Sequence, residues 1–89
     1  MTEPKQVDNW QIAQVYVDSS FTMTASVLRG FIDGRLIKSG ALLWLDLEKK
    51  IAMDETDVYK MGEPHGRWIY SLLSSGGSLE ALEIKDTTH

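Results

Sequence analysis

The segment LLWLDLEKKIAMDETDVYKM, residues 42–61, alternates apolar and charged side chains around the polar break Glu48-Lys49-Lys50. Alternation with period two is the mark of a strand that buries one face, and a short polar break between two such runs is the mark of a hairpin. A three-residue loop at 48–50 sets Leu47 opposite Ile51 and Leu45 opposite Met53 on one face. Trp44 then faces Asp54, and Asp46 faces Ala52, on the other. A two-residue loop would oppose Glu48 to Ile51 and mix the two sets, so the longer loop is preferred. Its last position requires a left-handed backbone, where Lys50 costs about 1 kcal/mol relative to glycine.

Working outward, Trp10–Val17 and Phe21–Leu28 form a second candidate hairpin through Asp18-Ser19-Ser20. That register opposes Val17 to Phe21, Val15 to Met23 and Ala13 to Ala25 on an apolar face. Tyr16–Thr22 and Gln14–Thr24 make the other face polar, with Trp10 and Leu28 at its far end. Between the two hairpins, Asp33-Gly34 is a tight-turn signal that pairs Phe31 with Leu36. It also sets Arg29 against Lys38, and directly opposed like charges restrict this third pairing to a short strand. The core expected from these registers is Val15, Val17, Phe21, Met23, Leu43, Leu45, Leu47, Ile51 and Met53.

Past the acidic segment, Pro64 sits where a helix begins. Trp68, Ile69, Leu72 and Leu73 recur at helical spacing until Gly76-Gly77 stop them. The run SLEALEIK, residues 78–85, fits either a strand with Leu82 and Ile84 inward or a second short helix, and the strand is preferred. Residues 1–8 read as a mobile polar arm and 86–89 as a frayed end.

The chain has 89 residues, enough for a single domain, 1–89, with one modest core. An α+β fold is expected: an antiparallel meander of about five to six strands, curling toward a barrel, with one short helix packed on it. With no cysteine there is no disulfide framework and no thiolate metal site. No segment reaches the roughly 20 apolar residues of a membrane span, and the N-terminus lacks the apolar run of a signal peptide; both point to the cytoplasm.

Net charge is −4, and its placement is uneven. Residues 1–45 balance four acids (Glu3, Asp8, Asp18, Asp33) with four bases (Lys5, Arg29, Arg35, Lys38). Residues 46–63 carry Asp46, Glu48, Asp54, Glu55, Asp57 and Glu63 against only Lys49, Lys50 and Lys60. Duplex DNA is bound mainly through Lys and Arg on its phosphates, so direct duplex binding is not expected.

Catalytic chemistry finds little support. Asp54, Glu55 and Asp57 lack the glycine and distal glutamate of a calcium loop, and acids on a turn are ordinarily solvated. Histidine is a residue type that serves as a general base, but His65 has no nucleophile beside it in sequence. Ser39 and Ser74–Ser78 lack the glycine frame of a nucleophile elbow. Arg29, Arg35 and Lys38, with Phe31 and Trp44, suggest a nucleic-acid stacking platform, although three cations are few for that task.

The sequence therefore favours a non-enzymatic protein–protein interaction module with no cofactor and no metal. Its expected partner-binding residues are Trp44, Asp46, Asp54, Glu55 and Asp57, an acidic rim with an aromatic anchor for a protein with a basic surface. One specific form is a small inhibitor of the anti-CRISPR kind, blocking a basic nucleic-acid-binding site. The alternative is a small barrel-like domain that binds nucleic acid or a ligand through the basic hairpin. A homodimer is compatible with so small a core.

Overall fold

Strand β1, Lys5–Tyr16, organises the fold, and the computed structural model describes residues 3–85. Most of its length pairs antiparallel with β2, Thr24–Ile32, which pairs in turn with β3, Arg35–Lys38. Its first residues pair parallel with β6, Val58–Met61, through Lys5–Tyr59, Gln6–Lys60 and Val7–Met61. β4, Trp44–Asp46, and β5, Ile51–Met53, complete a six-stranded sheet in the order β3-β2-β1-β6-β5-β4. The sheet is mixed rather than purely antiparallel, and it is open, so the expected barrel does not form. The expected mobile arm is also corrected at Lys5–Asp8: these residues are strand, and Val7 is fully buried because it pairs with Met61 at the centre of the sheet. Residues 86–89 lie outside the described part.

One irregularity decides which side chains face inward. Asp8 opposes Phe31, but Gln11 opposes Arg29, so β1 carries one extra residue at Asn9–Trp10. Asn9 takes a left-handed backbone, φ 50°, to accommodate it. The bulge lets Val7 and Trp10 point to the same side, where strict alternation would separate them. Gly30 lies beneath it: a Cβ there would collide with Val7 Cγ1 and come within 3.1 Å of the Asp8 carbonyl oxygen and Trp10 Cα.

The core is Val7, Trp10, Ile12, Leu28, Leu42, Leu45, Ala52, Tyr59 and Met61. Of the nine expected core residues only Leu45 is fully buried; Val17, Phe21, Met23 and Leu43 are exposed. Two loops account for this. The first hairpin turns through Asp18–Thr22 rather than 18–20, with Val17 N–H donating to the Met23 carbonyl at 3.0 Å. Val15 consequently faces Ala25, and the hairpin end projects beyond the core. The second turns through Leu47–Lys50, closed by Asp46 opposite Ile51, so Leu45 faces Ala52 instead of Met53. Lys50 does take the left-handed position, φ 60°.

The Asp33-Gly34 turn matches expectation, with Phe31 opposite Leu36 and Arg29 opposite Lys38. Helix α1, Gly66–Ser74, also falls where its apolar spacing predicts, and Gly76 and Gly77 donate to the Leu73 and Leu72 carbonyls to end it. Trp68 packs on Trp10 with ring centroids 5.4 Å apart. The segment after the helix is neither full strand nor full helix. Glu80–Leu82 make one 3-10 turn, and Ile84 then bridges Leu45 on the outer edge of β4.

Candidate functional site

Asp54 opens the loop between β5 and β6, and both of its carboxylate oxygens are engaged. Oδ1 accepts from the backbone N–H of Thr56 (2.9 Å) and Asp57 (2.8 Å) and from the Thr56 hydroxyl (3.1 Å). Oδ2 accepts from Gly40 N–H at 2.9 Å and the Tyr59 hydroxyl at 3.1 Å. Burial would raise this carboxyl, but the bonds from Thr56, Gly40, Asp57 and Tyr59 outweigh it and hold it at about 2. Tyr59 responds in the opposite sense. Its own burial, then the Asp54 carboxylate beside it, pushes its phenol well above the usual value.

Asp46 is likewise structural. It is buried, and its Oδ1 accepts from Glu48 and Lys49 N–H at 3.1 and 3.0 Å, which sets the loop that changes the register. Its carboxyl is held below the usual value by the Lys49 N–H, against the opposing effect of burial, with help from the Lys85 ammonium at 3.6 Å. Asp57 pairs with Lys5 at 3.1 Å. Trp44 is half-buried, in a row across the sheet with Met53 and Val58. Of the five residues expected to form an acidic rim, only Glu55 is exposed with its carboxylate in no hydrogen bond or ion pair among the described residues. Asp46, Asp54 and Asp57 are used inside the fold.

The other chemical candidates are accounted for locally. His65 is the N-cap of α1, its Nδ1 accepting from Trp68 N–H at 3.3 Å. Ser39 is buried, accepting from Leu28 N–H and donating to the Gly40 carbonyl, which ties the end of β3 to β2. Among the described residues no three His, Asp or Glu side chains are grouped to hold a metal ion, and no helix is long and apolar enough to cross a membrane.

The projecting end of the β1–β2 hairpin carries a group of exposed large apolar side chains. Tyr16, Val17, Phe21 and Met23 are each more than half exposed. They are held in a defined arrangement. Asp18 accepts from Thr22 and Met23 N–H and from the Thr22 hydroxyl, which lowers its carboxyl, and Phe21 takes the left-handed backbone this loop requires, φ 56°. The Tyr16 and Phe21 rings meet edge to face at 5.2 Å. Sequence reasoning placed Val17, Phe21 and Met23 in the core and Tyr16 on the polar face. The missed signal was Asp18 itself: an aspartate opening a Ser-rich loop caps backbone N–H groups further on and lengthens the turn.

Compared with known protein families, curated proteins and solved structures, the chain gives no match.

Proposed function

We propose that this chain is a non-catalytic protein–protein interaction module that docks through the projecting end of its β1–β2 hairpin. The observation that carries the reading is the exposure of Tyr16, Val17, Phe21 and Met23 on an end already fixed by Asp18. Contiguous exposed apolar side chains mark interaction surfaces, and a surface ordered before binding loses less entropy on docking. The partner is a protein offering an apolar cleft on a basic surface, since the net charge of −4 attracts such a surface over distance. An acidic inhibitor of the anti-CRISPR kind is a narrower form of the reading, resting on size and charge. It calls for carboxylates free on one surface, and Glu55 is the member of the expected rim that meets this.

The test places a photo-crosslinking phenylalanine analogue at position 21 in the source cells, identifies the captured protein, and titrates it purified by calorimetry. Phe21→Ser with Met23→Ser is expected to weaken binding by about 10- to 100-fold, the loss of two large apolar contacts, with the thermal melt unchanged. Trp44→Ala and Glu55→Lys are the comparators. If they lose binding and the hairpin variant keeps it, the docking surface is the acidic face.

A further inference from the structure

We infer that the free edge of β3 is a second binding surface, built to receive an acidic, extended segment of another protein as a seventh strand. Among the described residues β3 ends the sheet and is paired on one side only, so its outer backbone groups are available for strand addition. Its sequence, Arg35-Leu36-Ile37-Lys38, runs cation, apolar, apolar, cation. Successive side chains alternate between the faces, so each face of the edge presents one cation and one apolar group. On the outer face Lys38 stands opposite Arg29, and Leu36, 64% exposed, stands opposite the partly exposed Phe31. On the inner face Arg35 and Ile37 line a groove with Lys5, Ile32 and Asp33.

The charges identify the occupant. Arg29, Arg35 and Lys38 are exposed, and none makes an ion pair among the described residues. Arg29 directly opposite Lys38 is repulsive in the free protein, and an anionic group between them relieves that repulsion. The complement of this edge is a strand reading acid, apolar, apolar, acid, which places its acids by Lys38 and Arg35 and its apolar groups by Leu36 and Ile37. A second copy fits poorly, because two such edges would bring four cations onto one short ladder. The chain's own segment of matching pattern, Glu80-Ala81-Leu82-Glu83, includes the 3-10 turn, and Glu83 is bonded to Leu47 N–H and Lys85. The cations that keep two copies apart thus select an acidic strand. This surface is independent of the hairpin end.

The experiment titrates the isotopically labelled full chain with a synthetic peptide centred on Glu-Val-Val-Glu and a control centred on Lys-Val-Val-Lys, following amide shifts and hydrogen exchange. The first peptide is expected to shift and protect the amides of 35–38, and the control to leave them unchanged. Raising salt from about 0.05 to about 0.5 M should weaken binding. Lys38→Glu and Arg35→Glu should each weaken it at least about tenfold. Lys38→Gln and Arg35→Gln provide the same reading, with smaller losses, if charge reversal impairs folding. Phe21→Ser should bind the peptide as the wild type does, which separates this inference from the proposed docking end. The inference is overturned if the peptide fails to bind or shifts the Tyr16–Met23 amides instead. It is also overturned if oligothymidine occupies 35–38 more tightly than the peptide, or if sedimentation shows the chain self-associating through this edge.

Discussion

The carboxylate of Asp54 accepts the backbone N–H of Gly40 at 2.9 Å, joining the loop after β5 to the connection that leads from β3 into β4. The same side chain bonds Thr56, Asp57 and Tyr59, so it fixes its own loop and fastens that loop to the segment before β4. Asp54→Ala is therefore expected to destabilise the fold by about 2–3 kcal/mol in chemical denaturation, through N–H groups left without an acceptor.

The pH dependence of that loss has a defined sign. The folded carboxyl is held at about 2, below its ordinary value of 3.8, so the unfolded chain binds the proton more readily. The stabilisation is fully present above pH 3.8 and is lost as pH falls through 2. The stability difference between wild type and Asp54→Ala should be flat near neutrality and shrink between about pH 4 and pH 2. A constant difference across that range would show that the carboxylate charge contributes nothing.

Leu45 is fully buried against Ala52, whereas Leu43, two residues earlier, is 56% exposed. Leu45→Ala is expected to cost about 2–5 kcal/mol, and Leu43→Ala less than about 0.5 kcal/mol. Equal losses in parallel denaturant titrations would contradict this register.

That pair also shows what the sequence made legible. Both hairpins, the Asp33-Gly34 turn with its Phe31–Leu36 pairing, and the helix were readable from alternation and punctuation. The inward face was not. Asp18 and Asp46 lengthen their loops by accepting backbone N–H bonds, and a change of one residue at the second loop exchanges the faces. The bulge at Asn9 does the same within β1, without a glycine to announce it. In the expected acidic rim, Asp46 and Asp54 cap backbone groups in turns, and spacing alone does not distinguish a capping aspartate from a solvated one.

At Gly30 a side chain would enter the space held by Val7 and the bulge. Gly30→Ala is expected to cost about 1–3 kcal/mol by overpacking. Asn9→Gly should be neutral or stabilising, since it relieves the left-handed backbone at the bulge. Thermal melts of the two variants should move apart.

His65→Ala should lower stability by about 1 kcal/mol through loss of the helix cap, and His65→Asn should restore it. A histidine serving chemistry rather than the cap would not be rescued by asparagine in a folding assay.

The parallel pairing of Val7 with Met61 joins early and late parts of the chain, while every other strand pair lies between near neighbours in sequence. The local hairpins can zip on the microsecond scale, but β1 meets β6 only after a much longer loop closes. During synthesis the Val7–Met61 pairing therefore waits until Met61 has left the ribosome, while the rest of β1 can already pair with β2. Lys5–Val7, which look from the sequence like part of a loose arm, pair with β6 only once that long loop has closed, whereas the rest of β1 is held by its local hairpin with β2.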